Sequence, residues 1–464
     1  MIKMEISITA QPDFSTIPQI SESLSEEAAH KLLEVSIQNI SKLSPLQFLY
    51  ITELATYYGK NRDHTFRLMK FFIESQPLRN LNILLQLEMH LASRVLKKFE
   101  NQESYSKFYE IFNNFYKSKI GETNVIPHAD ASGVLFFVHS PVFLAHTNPL
   151  FHLLKYRNAQ DKIAIASLSS NPDFSAECDR LGVKFIQLQG ENTVAQLRHL
   201  EVCSADYKQV VWQCMPAYLS YFSARMPRIN WWSFKFNPPI SQIRKCITSL
   251  PSNQDIVRIN DNDWHNFSPA FDVKNYGKAP VKWSEREGKI GAFCREELID
   301  DEQYWAVLAS VLGQNNKISF HYCGRKPIHE RWVRRFTINP EQITFLGWLA
   351  HPNEAMRSVS VILDTFKIRH GLMGREAMAA HIPILYPHLD KNFGGLEDLY
   401  KRLPDDNDVV DPAQNFAFNS QEEASQKLLA LALDEKQNND AGSKQAHLIN
   451  SFPKGNFEQF LALL

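Results

Sequence analysis

Residues 360–387 read SVILDTFKIRHGLMGREAMAAHIPILYP, and this stretch decides the fold class. Residues 361–363 are an apolar run of strand length, and 364–371 are the turn at its carboxyl end, where open α/β sheets place their ligands. Gly371, Leu372, Met373 and Gly374 then open a helix through Arg375, Glu376 and Met378. A helix start offers backbone N–H groups without intrahelical partners and the positive end of a dipole, so a pyrophosphate can sit there. Glu376 suits a ribose, because a carboxylate can accept from two hydroxyls; the alternative is a solvated helix residue. Pro383 stops the helix, and 384–386 read as the next buried strand.

The composition frames this motif. A chain of 464 residues has room for two to three domains of about 100 to 200 residues each. Its formal net charge of -1 gives no electrostatic case for nucleic acid. The cysteines at 178, 203, 214, 246, 294 and 323 form neither a CxxC pair nor a zinc-spaced cluster, and read as reduced thiols of a cytoplasmic protein. The amino terminus, MIKMEISITAQPDF, lacks the apolar region of a secretory signal. The most apolar nearby window, 133–154, is interrupted by His139, Pro141, His146, Asn148 and Pro149, so no transmembrane segment is expected.

Working outward, the chain divides in three. Over 21–119 apolar residues recur at helical spacing (Leu33, Ile37, Ile40; Phe48, Ile51, Leu54; Leu84, Leu87, Leu91, Val95), which predicts an all-helical segment within a domain spanning 1–125. No residue signature recurs at a fixed period. Residues 121–132 read as a linker. From 133 to 285, short apolar runs at 134–138, 163–168, 183–188, 210–212 and 229–236 alternate with helical stretches, the pattern of a parallel, doubly wound sheet. The polar region 251–287 reads as the join between domains. In 286–464 the alternation restarts: strands at 290–293, 318–322 and 343–346, helices at 301–312, 329–336 and 353–358, then the quoted motif and a helix at 422–433. Two Rossmann-like domains in sequence make a cleft, with ligands between them at strand carboxyl ends.

Three segments carry a family resemblance: GAFCREELIDDEQYWAVLASVL (291–312), FLGWLAHPNEAMRSVSVILDT (345–365) and the quoted motif. Together they resemble the nucleotide-sugar-binding domain of GT-B glycosyltransferases. The nearest likeness is to the family of O-linked N-acetylglucosamine transferases and the cytoplasmic N-glycosyltransferases of bacterial adhesins. The resemblance covers about 288–387, with a weaker likeness of layout through the preceding Rossmann half, and a helical amino-terminal domain fits it.

The resemblance implies a site residue by residue. Asp364 and Thr365 match the LDT element, His370, Gly371, Leu372 and Met373 the loop meeting the donor phosphates, and Glu376 the ribose carboxylate. Leu349 and His351 fall in the uracil-binding segment, with Arg357 nearby, and Arg295 faces the leaving group. Leu298 stands where many relatives have a phosphate-binding lysine. Either Arg295 supplies the missing charge, or donor binding is altered or lost. The implied reaction is sugar transfer from a UDP-sugar to an acceptor, with a protein side chain among the candidates, an inverting outcome, no metal and no cofactor beyond the co-substrate. The chain lacks a clear DxD element; Asp300 and Asp301 read as N-caps.

An acceptor base is expected from the first βα loop of the other half, where His146 can accept a proton because an imidazole titrates near neutrality; His139 is the competitor, and His146 is preferred. Thr147 and Asn148 are placed at the acceptor or at a helix cap. Lys235, within the aromatic run NWWSFKFNPP, and Arg325, in the turn CGRK, are further candidates for acceptor or phosphate. Structural readings compete throughout: a hydrogen-bonded loop histidine, a core strand, a solvated turn, and for Arg295 an ion pair with Glu296 or Asp300. Two other functions share this pattern: a nucleotide-sugar epimerase, and a non-catalytic protein with a decayed donor site whose helical domain binds an acceptor or another subunit.

Overall fold

The computed structural model describes residues 39, 43–58, 62–76, 80–94, 102–120, 125–142, 147–213, 218–226, 229–233, 243–248, 255–259, 262–267, 279–349, 352–366, 372–387, 416–451 and 455–464. The first sheet contains β1 (Val134–Val138), β2 (Ile163–Ser167), β3 (Lys184–Gln187), β4 (Gln209–Gln213), β5 (Ile229–Ser233), β6 (Lys245–Thr248), β7 (Ile256–Ile259) and β8 (Asn262–Asn266). Their spatial order is β3-β2-β1-β4-β5-β6-β8-β7. All pairs are parallel except β7 with β8. The chain runs outward from β1 to β3 and returns to β4 on the other side of β1, so the strand order reverses between β1 and β4.

Both faces of this sheet are covered, which is why its strands read as continuous apolar runs rather than alternating ones. Leu135 and Phe137 of β1 point into one core, while Val134, Phe136 and Val138 point into another. Trp231 and Trp232 are adjacent on β5 and both fully buried. Trp231 meets Trp264 at 5.5 Å between ring centroids, and Trp232 meets Phe460 at 4.9 Å on the opposite face. The aromatic strand is therefore core on two faces.

The helical segment supplies part of that cover. Among the described residues it forms the helices Pro45–Tyr58, Arg62–Ser75, Leu81–Arg94 and Gln102–Ile120. Phe48 and Phe72 stack at 3.9 Å within it. The last of these helices packs on the helix Leu219–Arg225, with Tyr116 edge-on to Tyr221 at 5.6 Å. The apolar residues of this segment join Leu135, Phe137 and Trp212 in one core. Among the described residues no helix is long and apolar enough to cross a membrane.

The second sheet contains β9 (Lys289–Ala292), β10 (Ser319–Tyr322), β11 (Ile343–Phe345), β12 (Val361–Leu363), β13 (Ile384–Pro387) and β14 (Ala417–Phe418), in the order β11-β10-β9-β12-β13-β14. Every pair is parallel, and the order reverses between β9 and β12. The helix Glu302–Leu312 is N-capped by Asp301, whose Oδ1 accepts from the Gln303 and Tyr304 amides at 3.0 and 3.2 Å. The helix Gln421–Leu433 packs back over this sheet and Glu435–Ser451 follows. The final helix, Phe457–Leu463, then places Phe457, Phe460 and Leu464 on the first sheet. A reciprocal capping box of Asn456 and Gln459 starts that helix, at 2.8 and 3.0 Å.

One sequence expectation is corrected. The region 251–287, read as an irregular join, contains the antiparallel pair β7/β8, and β8 extends the first sheet beside β6. Asn262, Asp263 and Asn266 disfavour strand locally, yet Trp264 is fully buried and pairs with Cys246 of β6, so tertiary packing overrides propensity.

Candidate functional site

The reversal between β9 and β12 is a topological switch point, where loops from adjacent strands diverge and leave a crevice at the carboxyl edge. From β9 the chain passes through Phe293 and Cys294 to Arg295, the N-cap residue of the short helix Glu296–Ile299. From β12 it passes through Asp364 and Thr365, and the helix Leu372–Ala379 follows. The topology thus sets the segment after β9, with Arg295, beside the segment after β12, with Asp364 and Thr365, although they are far apart in the chain.

Arg295 is exposed. The acidic groups proposed as its ion-pair partners are engaged elsewhere. Asp300 accepts from Arg331 and, at 2.9 Å, from the Trp332 indole, while Glu296 Oε2 accepts from the Arg325 amide at 2.9 Å. The Leu298 amide donates to the Arg295 carbonyl at 3.0 Å, which places Leu298 one turn from Arg295.

Asp364 and Thr365 are fully buried, and Asp364 Oδ1 accepts from the Thr365 amide at 2.7 Å. The Asp364 amide donates to the Leu385 carbonyl at 2.8 Å, continuing the β12/β13 ladder past the strand end. Both residues therefore shape the turn from beneath. Glu376 is only 5% exposed, and burial pushes its carboxyl up to about 8. Below that pH it carries a proton, so it donates through O–H and accepts through C=O, a pairing that matches two ribose hydroxyls. Met373 is partly buried in the first turn of the same helix.

The carboxyl ends of β10 and β11 add a feature the sequence reading missed. Trp348 is 51% exposed, and the Arg325 guanidinium lies over its ring at 5.4 Å from the centroid. Leu349, partly buried, follows directly. This turn is held by three amides: Leu346 to the Tyr322 carbonyl at 2.9 Å, Gly324 to the Gly347 carbonyl at 3.1 Å, and Arg325 to the buried Glu296. Gly347 has φ +74°, and a Cβ on Gly324 would lie 2.9 Å from Glu296 Oε2 and 3.0 Å from Glu296 Cβ. We expect Gly324→Ala to displace Glu296 and lower stability by about 1–3 kcal/mol, read as a shift of the urea midpoint. An unshifted midpoint would contradict the clamp.

At the first sheet, His139 follows β1 and its Nδ1 lies 3.0 Å from Ser140 Oγ. Its ring meets Tyr218 at 5.6 Å. Thr147 donates to the Val142 carbonyl at 2.5 Å, closing the first βα loop, and Asn148 begins the helix Asn148–Leu154. The β1/β4 reversal gives this sheet its own crevice, with His139 on one side and Tyr218 on the other. His146, Lys235, His351, His370 and Gly371 lie outside the described residues, as does the side chain of Leu372.

No protein-family model and no curated protein matches this sequence. Solved structures do. An O-GlcNAc transferase mutant from Thermobaculum terrenum superposes with TM-score 0.53 at 13% identity, over 95% of this chain and 92% of that one. The fold is GT-B. HepE from Anabaena in complex with UDP-glucose gives TM-score 0.53 at 14% identity, over 72% of this chain and all of that one, 100%. A glycosyltransferase from Rickettsia africae gives 0.51 at 11% identity, over 72% and 97%. In a GT-B chain the two switch-point crevices are the carboxyl edges of two Rossmann-like sheets, and the final helix returning to the first sheet ties the halves together.

Proposed function

We propose that this chain is a glycosyltransferase that takes a UDP-sugar at the second sheet and transfers the sugar to an acceptor held at the first, with a protein side chain as acceptor class. The observation that carries the reading is the β9/β12 reversal, where the exposed Arg295 follows one strand, the buried Asp364 and Thr365 follow the other, and the helix that holds the buried Glu376 comes next. The UDP-glucose held by the Anabaena neighbour of the same fold supports the donor class.

In this reaction the acceptor group attacks the anomeric carbon, loses its proton to a base, and the bond from that carbon to the diphosphate oxygen breaks. His146 is the first choice for the base and His139 the second. Attack opposite the leaving group inverts the anomeric centre. Charge develops on the departing diphosphate, where fixed donors act most strongly. Arg295 and the amides opening the helix Leu372–Ala379 meet that charge, a role that needs no divalent ion. Leu298 leaves the usual lysine position apolar, and Arg295, one turn earlier, supplies the cation instead. Glu376 takes the ribose, Leu349 and His351 the base, while Asp364 and Thr365 fix the turn, with His370, Gly371, Leu372 and Met373 around the phosphates. Arg325, Lys235 and Asn148 are secondary candidates for phosphate or acceptor.

The test is mass spectrometry of candidate acceptor proteins after incubation with a mixture of UDP-sugars. A gain of one hexose or N-acetylhexosamine is expected. Interconversion of the free sugar nucleotide without an acceptor would instead establish an epimerase. Neither product, despite nucleotide binding, would defeat the catalytic reading.

A further inference from the structure

The helix Leu81–Arg94 carries an acid on its apolar face. Glu88 is 2% exposed and sits between Leu84 and Leu91, both fully buried. Its two carboxyl oxygens are divided between two elements: Oε2 accepts from the Tyr116 hydroxyl at 2.8 Å, and Oε1 accepts from the Ser220 hydroxyl at 2.5 Å. Asn113, on the same helix as Tyr116, donates to the Ser220 carbonyl and to Ser223 Oγ, both at 3.0 Å. The helical segment thus grips the first turn of Leu219–Arg225 with two buried polar side chains, Glu88 and Asn113, and Tyr116 braces Glu88.

The residue just before that turn is Tyr218, with φ +60°. A bulky L-residue adopts this left-handed conformation only where its surroundings impose it. The Tyr218 carbonyl accepts from the Phe222 amide at 3.0 Å, and its ring lies against His139 at 5.6 Å with a 43° interplanar angle. Tyr218 follows β4 and His139 follows β1, so the pair straddles the switch point of the first sheet.

We infer that the helical segment is a working part of the acceptor side, with Glu88, Asn113 and Tyr116 as positioning residues that hold the Tyr218 turn against His139. This rests on the reading of the first sheet as the acceptor side. Within that reading it ties the helical segment to the chemistry, beyond any role as a docking platform. The grip also responds to pH. Burial pushes Glu88 up to about 7, against the opposing hydrogen bonds from Ser220 and Tyr116. Tyr116 and Tyr218 face it and are held neutral by burial; Tyr221, edge-on to Tyr116, interacts instead with Glu201, Arg225 and Arg198. The stabilising contribution of the protonated acid is fully present below its ordinary 4.5 and is lost as pH rises through about 7.

The experiment compares full-length wild type with Glu88→Ala, Glu88→Gln and Ser220→Ala. The rate of His139 carbethoxylation by diethyl pyrocarbonate is measured by peptide mass spectrometry against His128, whose side chain is 61% exposed. UDP affinity is followed in parallel. Glu88→Ala and Ser220→Ala should change the His139 to His128 rate ratio about threefold or more, the coupling expected within one hydrogen-bonded network. Glu88→Gln, which keeps the uncharged shape, should leave the ratio unchanged in mildly acidic buffer, where wild-type Glu88 is itself protonated. UDP affinity should stay unchanged. An unchanged ratio in folded Glu88→Ala or Ser220→Ala would overturn the inference, as would loss of UDP binding along with it. Failure of wild type to bind UDP would strike the donor reading alone.

Discussion

Glu376→Gln is expected to stabilise the protein at alkaline pH, and Glu376→Ala to weaken its binding of UDP. The two halves of this result have one cause. Glu376 is buried with its carboxyl raised from 4.5 to about 8 by desolvation. A raised carboxyl contributes stability that is fully present below pH 4.5 and is lost as pH rises through about 8. A shift of that size corresponds to a penalty on the order of 4 kcal/mol for holding the charged form in the fold. Gln keeps the shape and cannot ionise, so the stability gap between variant and wild type should widen from about pH 5 to about pH 8 and level off above that. Urea unfolding across that range checks it. A residue kept for packing alone would not be expected to cost stability. One kept for binding would, as active sites commonly do. Glu376→Ala, which removes both ribose hydrogen bonds, should weaken UDP about 10- to 100-fold, the range for bonds to an ionisable group. Unchanged UDP affinity in Glu376→Ala would remove Glu376 from the donor site.

Arg295→Ala should lower turnover about 100-fold, as loss of one preorganised donor to a developing oxyanion does, with a much smaller effect on UDP affinity. Arg295 is exposed, whereas Glu376 is buried. The stronger form of the test uses Leu298. If Arg295 replaces a cation usually carried one turn later, Leu298→Lys introduced into Arg295→Ala should restore a substantial part of the lost turnover. Equal losses in turnover with and without Leu298→Lys would mean that Arg295 acts in some other way.

The strand, turn and helix of the second sheet were legible because their signals are local. Residues 361–363 are a strand and 329–336 a helix at the limits read from periodicity, and Glu376 stands one turn into a helix after a strand. The β7/β8 pair was not legible, since its strands are short and its polar residues read as turns; only β6 beside them makes them sheet. Trp348 escaped for a different reason. A tryptophan after a strand reads as core, and its exposure depends on a turn pinned by Glu296 and Gly324, both remote in sequence. Glu88 did leave a signal, an acid at helical spacing between Leu84 and Leu91, but its partner Ser220 is brought to it only by the packing of the helical segment on the first sheet. What sequence could not supply, in each case, was the long-range partner.

Calorimetric titration of UDP into the wild-type protein tests the central claim most directly. Saturable one-site binding that Glu376→Ala weakens is the predicted result. An absence of heat with UDP and with every other nucleoside diphosphate would contradict the account.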